Sequence, residues 1–222
     1  MQQNKAMKKS ITSNWRPLLR ACYAFLIAIA ALWAMPRTAH AQLYVTNKPG
    51  GGAQVVSKYN ATTGALINAS FITGLSNLVG IFDLGLAVSG NTLFVADAIG
   101  FVGKYNATTG APINASFITG LKNPVGLALL GNTLFVANFD SDTVGKYDAN
   151  TGAAINASFI TGLTSPSELA LLGNTLFVTS GTFSGFAGGT VGAYDATTGA
   201  PINASFITGL TNPSGLAVKS AK

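Results

Sequence analysis

The stretch Tyr147-Asp-Ala-Asn-Thr-Gly152-Ala-Ala-Ile-Asn-Ala-Ser-Phe-Ile-Thr-Gly-Leu163 has three close relatives elsewhere in the chain. The distance from the opening Tyr to the closing Leu is the same in all four copies, which occupy 59–75, 105–121, 147–163 and 194–210. The opening tyrosines give the repeat a period of about 40 to 50 residues, and a unit of this length with four short β-forming segments is typical of one blade of a β-propeller.

Each repeat divides into four short segments of β-branched, aromatic and leucine residues, which we label strands a to d. In the third repeat they are expected at 126–130, 133–137, 143–148 and 157–161. Gly131-Asn132 between a and b favours a tight hairpin. The turn from Asp148 to Gly152, between c and d, favours side-chain hydrogen bonding by Asp and a left-handed Gly. The sequence therefore predicts an all-β propeller with four blades of four antiparallel strands.

The order of the strands predicts how the blades close. After residue 41 the chain begins with a b strand at Leu43 and ends with an a-type segment at 215–219. Pairing this C-terminal strand with the N-terminal strand would complete the fourth blade and remove the edges of an open array. We therefore expect a complete, closed ring of four blades in one monomer. A head-to-tail dimer of eight blades is the main alternative, and an open stack or solenoid is a further one.

Residues 1–41 differ in composition from the repeats. Residues 1–20 are basic and contain no acid, and residues 21–35 are all apolar. This run is shorter than the roughly 20 residues of a spanning helix, and Ala39-His40-Ala41 after it is typical of a signal peptidase site. We predict a cleaved secretory signal peptide at 1–41, a propeller domain at 42–222, and export to the periplasm or the cell exterior. An uncleaved anchor is the alternative.

The net charge of +6 belongs to this first segment. Residues 42–222 contain seven lysines and seven acids, which are spread along the chain. A neutral surface without a basic patch releases few counterions, so nucleic acid is not an expected partner. No second long apolar run follows residue 41, so we expect no stable membrane insertion after cleavage.

Short motifs in the repeats carry a family resemblance. Leu43-Tyr-Val-Thr-Asn47 and the recurring Asn-Pro-x-Gly-Leu-Ala, followed by Asn-Thr-Leu-Phe-Val-Ala-Asn, resemble the NHL/YVTN type of secreted bacterial β-propeller repeat. The resemblance covers residues 43–219 and implies the propeller fold. It also implies a binding platform, an extracytoplasmic scaffold or a lactonase-type hydrolase, and the fold alone does not choose between these functions.

Missing residue types exclude several catalytic sites from residues 42–222. This part of the chain has no His, no Cys and no Arg. It therefore lacks the residues for a Ser-His-Asp triad, a Cys-His pair or a zinc site with nitrogen and sulfur ligands. Ser-Lys pairing and carboxylate chemistry remain open. We expect a non-enzymatic protein without a cofactor.

Six Asn residues fit the Asn-x-Ser/Thr glycosylation pattern, and we interpret them as structural: Asn60, Asn68, Asn106, Asn114, Asn156 and Asn203. At the position of Asn60, two repeats carry Asp148 and Asp195 instead. This exchange keeps the turn hydrogen bond and removes the glycosylation site. Local hydrogen bonding therefore explains the pattern better than glycosylation does.

Two other sets of acids could serve chemistry. Asp140 and Asp142 alternate in one loop, but that loop supplies too few ligands for calcium, so a solvated loop is favoured. Glu168 replaces the Gly126 of the preceding repeat at the start of an inner strand. It resembles the metal-binding Glu of lactonase-type relatives, although the Ser-Pro-Ser before it departs from their pattern. A solvated carboxylate at the pore mouth is favoured over a metal site.

The repeats differ most in the connection between strands b and c. It occupies 48–55, 98–101, 139–143 and 181–190, so its length more than doubles between the shortest and the longest copy. An insertion near 81–85 lies between strands d and a, and both connections are expected on one face, around the channel mouth. Variation on one face of a repeat scaffold indicates a recognition surface, although loops also tolerate length changes in general.

We therefore expect a binding or scaffolding module that takes a protein or glycan on this face. A metal-dependent, lactonase-like hydrolase centred on Glu168 and a purely structural envelope protein are the alternatives. The loops contain Gly, Ser, Thr, Asn and some aromatic residues, which suit stacking and neutral hydrogen bonds. The candidate ligand-contacting residues are Asn47, Asp97, Asn138, Asp140, Asp142, Glu168, Phe183 and Phe186.

Overall fold

A computed structural model describes residues 41–75, 84–181 and 188–220, which belong to one compact unit, Ala41–Lys222. The first sheet contains β1 (Gln42–Asn47), β2 (Val55–Asn60) and β3 (Leu66–Ile72). The second contains β4 (Leu86–Ser89), β5 (Thr92–Asp97), β6 (Phe101–Asn106) and β7 (Pro112–Thr119). The third contains β8 (Pro124–Leu130), β9 (Thr133–Asn138), β10 (Thr143–Asp148) and β11 (Ala154–Ile160). The fourth contains β12 (Leu169–Leu172), β13 (Thr175–Ser180), β14 (Gly189–Asp195) and β15 (Pro201–Leu210).

Each sheet is an antiparallel meander in which consecutive strands pair. The second, third and fourth sheets each have four strands, in the orders β4-β5-β6-β7, β8-β9-β10-β11 and β12-β13-β14-β15. The strands a of neighbouring sheets pack on one another, β4 on β8 and β8 on β12. The prediction of an all-β propeller built from four antiparallel blades is confirmed.

The first sheet departs from this pattern because it has three described strands, β1-β2-β3. Residues 215–219, which were expected to pair with β1 and close the ring, form no strand and are largely exposed. Leu43 and Val45 on β1 stay 50% and 37% exposed. The three buried clusters of the described residues each join consecutive sheets, and none joins the first sheet to the last. The expected closure within one chain is therefore not formed among these residues.

Strand d is longer than the sequence pattern indicates. In the third sheet β11 begins at Ala154 rather than at 157, because the pairing with β10 continues across an irregularity. The register changes between Val144↔Ile160 and Lys146↔Asn156. The side chain of Asn156 fills the irregularity, since its Oδ1 accepts a hydrogen bond from the Ser158 amide at 3.0 Å. These Asn residues therefore have the structural role that the sequence indicated.

The turn between strands c and d also forms as predicted. Asp148 Oδ1 accepts hydrogen bonds from the amides of Asn150 at 2.9 Å and Thr151 at 2.8 Å. Asn60 Oδ1 accepts from Thr62 and Thr63 in the same way, at 2.8 and 2.9 Å. Gly152 has a φ of 77°, so it occupies the left-handed region that disfavours other residues. The Asn/Asp exchange between repeats thus preserves one turn geometry.

Strand alternation fills the space between sheets. In β9, Leu134 and Val136 belong to the cluster shared with the second sheet, while Phe135 and Ala137 belong to the cluster shared with the fourth. All four side chains are completely buried. Successive side chains of a strand point to opposite faces, so the run Leu-Phe-Val-Ala buries both faces of an internal blade. This explains why the b strands carry apolar residues at successive positions instead of alternating ones.

A lysine on each of the first three c strands crosses to the next sheet. Lys104 Nζ donates to the turn carbonyls of Ala149 at 3.0 Å and Asn150 at 3.1 Å. The same ammonium lies 4.5 Å from the ring centroid of Phe117, within cation–π range. Lys58 and Lys146 make equivalent bonds to the next turn, and their distances from Phe71 and Phe159 are both 4.6 Å. The fourth repeat has Ala193 at this position.

The turn that receives the lysine also packs closely on the preceding sheet. A Cβ added to Gly152 would lie 2.4 Å from the backbone oxygen of Phe117, so a larger residue would push the sheets apart. The lysine, its Phe and the incoming turn form one unit, which we call the sheet junction. Because it combines a charged hydrogen bond with apolar burial, the sheet junction fixes both the distance and the register of neighbouring blades.

We expect Lys104→Met to destabilise the protein, because Met keeps the apolar stem and removes the two hydrogen bonds to the third sheet. The loss in free energy of unfolding should be about 1 to 3 kcal/mol, measured by urea denaturation. Lys122→Met is the matched control, since the Lys122 side chain is exposed. Equal stability of K104M and the unchanged protein would contradict the role assigned to the sheet junction.

The c–d turns that contain Asp148 and Asp195 predict that the stability of the protein depends on pH. Hydrogen bonds from the backbone amides of Thr151 and Thr198 hold the pKa values of Asp148 and Asp195 below the usual range. Their folded-state pKa is lowered, so the stabilisation is present above the unfolded value of about 3.9 and is lost as the pH falls through the folded value. Asn accepts the same hydrogen bonds without titrating, as Asn60 and Asn106 do.

The double variant D148N/D195N should therefore lose less stability than the unchanged protein when the pH falls from about 5 to about 2. Thermal unfolding followed by circular dichroism at several pH values measures the difference. Asp140→Asn, on an exposed side chain outside these turns, is the control. Superimposable pH profiles of the double variant and the unchanged protein would show that the turn carboxylates do not carry this effect.

Candidate functional site

The connections b–c and d–a lie together at one end of the sheets, as the sequence predicted. The Phe139 amide donates to Asn123 O at 3.0 Å, and the Leu121 amide donates to Gly100 O at 3.0 Å. The Gly181 amide donates to Thr164 O at 2.7 Å. Each of these hydrogen bonds joins a b–c loop to a d–a connection. We call this end the loop face, formed by the described b–c loops 48–54, 98–100 and 139–142 with the d–a connections 120–123, 161–168 and 211–213.

Four polar residues occupy equivalent positions on the loop face, because each is the last residue of a b strand: Asn47, Asp97, Asn138 and Ser180. Three of them are buried rather than presented to solvent, with exposures of 0% for Asp97, 3% for Asn138 and 8% for Ser180. Asn47 is half-buried, and its Nδ2 donates to Ser57 Oγ at 2.8 Å. The site residues predicted at these positions therefore hold the loops, and the sequence pattern did not reveal their burial.

Asp97 and Asn138 affect the pKa values of the tyrosines that open their repeats. The pKa of Tyr105 is raised, first by burial and then by the nearby Asp97 carboxylate. Burial also raises the pKa of Tyr147. A hydrogen bond with the Asn138 side chain acts in the opposite direction and lowers this pKa. The Ile99 amide donates to Asp97 Oδ1 at 3.3 Å, which ties the loop to this carboxylate. The hydroxyls of Tyr105 and Tyr147 therefore lie near the strand b residues Asp97 and Asn138, from which the b–c loops begin.

A glycine makes room for each of these tyrosines. A Cβ added to Gly145 would lie 2.5 Å from Cε2 and 2.7 Å from Oη of Tyr147. Gly103 and Gly192 make the same space for Tyr105 and Tyr194. The first repeat has Ser57 instead, and there Tyr59 is half-buried. The sequence contains this pattern, because Gly precedes the Tyr by two residues in three repeats. Its role in packing is visible only in the structure.

Asp140 and Asp142 lie in an exposed 3-10 turn and the residue after it. Asp142 Oδ1 accepts from the Ser165 amide at 2.7 Å, so it joins the third b–c loop to the next d–a connection. Asp140 Oδ1 lies 3.4 Å from Asn123 Nδ2. The expected solvated loop is correct for their exposure, but Asp142 also has a structural bond across the loop face. No group of three His, Cys, Asp or Glu that could hold a metal ion occurs among the described residues.

Glu168 lies just before β12 and is half-buried. Its amide donates to Thr179 Oγ1 at 2.7 Å, and its carbonyl accepts from the Thr179 amide at 3.0 Å. Its backbone thus continues the pairing with β13, as an inner strand requires. Phe183 and Phe186 lie outside the described residues.

Two similar clefts open between consecutive sheets. One, between the third and fourth sheets, has a volume of about 270 Å³ and is lined by polar side chains including Thr164, Ser180, Thr190, Tyr194 and Ser205. The other, between the first and second sheets, also has a volume of about 270 Å³ and includes Thr73, Tyr105 and Ser116. The first is bordered by Gly181 and Gly188, in the longest b–c loop. Neither cleft was recognised in the sequence, because their lining residues are far apart along the chain.

Several amide oxygens near the loop face are buried without a partner. These atoms are Oδ1 of Asn47, Asn123, Asn138 and Asn212. A buried acceptor without a hydrogen bond is costly, so such atoms favour a bound water or a ligand donor.

Among the described residues, no helix has the length and apolar character needed to cross a membrane.

Comparisons with known proteins agree on the fold. No family model and no curated protein match the chain. The computationally designed Ika8 protein covers 81% of this chain with 50% of its own length, at 15% identity and a TM-score of 0.50. A chain of the mitotic checkpoint complex covers 75% of this chain with 48% of its own length, at 18% identity and a TM-score of 0.54. These solved structures support the propeller fold, and this chain spans about half the length of each.

We expect Gly145→Ala to destabilise the protein by about 1 to 3 kcal/mol, because the added methyl would displace the Tyr147 ring. Urea denaturation measures the loss, and near-ultraviolet circular dichroism reports the tyrosine environment. Gly215→Ala is the control, since a Cβ at residue 215 would meet nothing within 4 Å. An unchanged tyrosine signal in G145A would contradict the assigned packing.

Proposed function

We propose that this chain is an exported, non-enzymatic binding or scaffolding module of the NHL/YVTN type, which takes a protein or glycan ligand on the loop face. The observation that carries the proposal is the hydroxyl-lined cleft between the third and fourth sheets, beside the longest b–c loop. Its volume of about 270 Å³ is close to the lower limit of small-molecule sites, about 300 Å³. One sugar ring or one amino-acid side chain fits this size.

The chemistry of the cleft supports a neutral, polar ligand. Thr164, Thr190 and Ser205 offer hydroxyl groups that both donate and accept hydrogen bonds. Residues 42–222 balance seven lysines against seven acids, so the domain offers no net charge to an ionic ligand. Hydroxyl-rich glycans and uncharged peptide side chains match these groups.

The distribution of variable and constant parts supports the same face. The segment from the repeat Tyr to the closing Leu has one length in all four copies, whereas the b–c loop varies from the short 98–101 to the long 181–190. The c–d turn within this constant segment forms the sheet junctions at the other end of the blades. The loop face therefore changes without disturbing the junctions, as a recognition surface on a repeat scaffold does.

Export is supported by the basic, apolar and small-residue segments of residues 1–41. The absence of His, Cys and Arg from residues 42–222 supports a binding role over the common kinds of hydrolase site. The lactonase alternative depended on Glu168, and no observation of its surroundings favours it over the binding role.

The experiment is a ligand screen on a glycan array and a displayed random-peptide library, followed by two changes tested against the best binder found. Replacing residues 181–190 by the short loop 98–101 should weaken binding by about tenfold or more. Ser205→Trp, which fills the cleft, should do the same. Ser116→Trp, at the equivalent position of the other cleft, is the matched control.

Retained binding in both the loop exchange and S205W would show that the ligand site lies elsewhere. Equal losses in S205W and S116W would show that both clefts, or the blades in general, contribute. Circular dichroism of each variant establishes that a loss of binding is not a loss of fold.

A further inference from the structure

At every sheet junction among the described residues, the two neighbouring sheets meet through the same pair of surfaces. The first, which we call the insertion surface, consists of the Leu and Val of strand b, the repeat Tyr and the c–d turn. The second, which we call the acceptor surface, consists of the strand b aromatic residue, the c-strand Val and the strand d Phe and Ile. In the cluster between the second and third sheets, Leu134, Val136 and Ala149 of the insertion surface meet Phe94, Val102 and Ile118 of the acceptor surface.

The insertion surface of the first sheet is uncovered. Leu43 is 50% exposed, whereas its equivalents Leu93, Leu134 and Leu176 are 0% exposed. Val45 is 37% exposed, whereas Val95, Val136 and Val178 are 0% exposed. Gly64, in the first c–d turn, meets nothing within 4 Å, although its equivalents Gly110, Gly152 and Gly199 contact the preceding sheet. The first sheet thus carries the residues of an insertion surface, but among the described residues no other sheet packs on them.

The acceptor surface of the fourth sheet is uncovered in the complementary way. Ile207 is 44% exposed, whereas its equivalents Ile72, Ile118 and Ile160 are 3 to 4% exposed. Phe206 is 52% exposed, and its ring packs on Phe177 of the same sheet, with centroids 5.5 Å apart. The two ends of the array therefore present the two halves of one sheet junction.

This exposure is specific to the junction positions. Ile67, Ile113, Ile155 and Ile202 are 51%, 56%, 54% and 60% exposed, so this outer position is exposed in every sheet whether or not it has a neighbour. Ile207 lies on the same strand as Ile202, β15, yet its equivalents in the other sheets are buried. Exposure at Ile207 and Leu43 thus reports a missing neighbour and not a generally apolar surface.

We propose that a second copy of this chain covers both surfaces, so that the first sheet of each copy docks on the fourth sheet of the other. Two such contacts are identical and close a head-to-tail ring of eight sheets. The insertion surface and the acceptor surface already fit one another at each internal junction, so a second copy supplies the complement of both ends. Residues 215–219, which form no strand here, would add to the free edge of β1 in the second copy.

The junction between copies lacks the lysine of the internal junctions. Ala193 stands where Lys58, Lys104 and Lys146 donate to the next turn, so the ammonium hydrogen bonds are missing. The contact between copies is therefore weaker than an internal junction, and it dissociates on dilution. Ala193→Lys should restore these bonds, to the carbonyls of Ala61 and Thr62 of the second copy, and should lower the dimer dissociation constant by about tenfold or more.

The experiment measures the mass of the full-length chain by native mass spectrometry and by sedimentation equilibrium over a range of concentrations. The unchanged protein and Ile202→Asp should form a two-copy species that dissociates on dilution. Leu43→Asp and Ile207→Asp should each remain single copies, because each variant damages both contacts of the ring. Circular dichroism checks that all variants fold.

Mixing L43D with I207D provides a sharper test, because one contact then joins an intact fourth sheet to an intact first sheet. A two-copy species with one chain of each variant should appear in the mixture, although neither variant dimerises alone. The proposal is overturned by a single-copy mass of the unchanged protein at all concentrations, by a larger assembly, by a dimer that I207D leaves intact, or by a mixture that stays single. No ligand enters this test, so it stands apart from the ligand proposed for the loop face.

Discussion

The contact on which the structure depends is the lysine ammonium that reaches from one c strand into the c–d turn of the next sheet. Its hydrogen bonds to two turn carbonyls fix the register of the sheets, and its position over a Phe ring fixes their distance. The turn must then keep one shape, which Asp148 and Gly152 provide in the third repeat. The constant spacing from the repeat Tyr to the closing Leu follows, because turn and strand d both belong to the junction.

The two ends of the blades therefore have different roles. The c–d turns make junctions, so their sequence is constrained, whereas the b–c loops at the other end are free to vary in length. The buried Asp97 and Asn138 with their tyrosines separate these two regions and anchor the loops. A ligand would therefore contact the loops and the cleft walls more than these strand-end residues.

Local features of the fold could be predicted from the sequence, because they depend on neighbouring residues. The Gly131-Asn132 hairpin, the Asp148 turn and the four-strand blade all follow from short patterns. The start of strand d at Ala154 was missed, since the irregularity opposite Lys146 has no local signature. The lysine junction, the burial of Asp97 and the open end of β1 were also missed. Each depends on a residue from another sheet, which a repeat period alone does not position.

In the two-copy ring, every surface that carries junction residues is covered, including those of the first and fourth sheets. Hydrogen exchange of the β1 amides, Gln42–Asn47, at low and high protein concentration tests this coverage. The amides that face away from β2 should exchange more slowly at high concentration, because the free edge of β1 becomes paired. Fast exchange of these amides at both concentrations would contradict it.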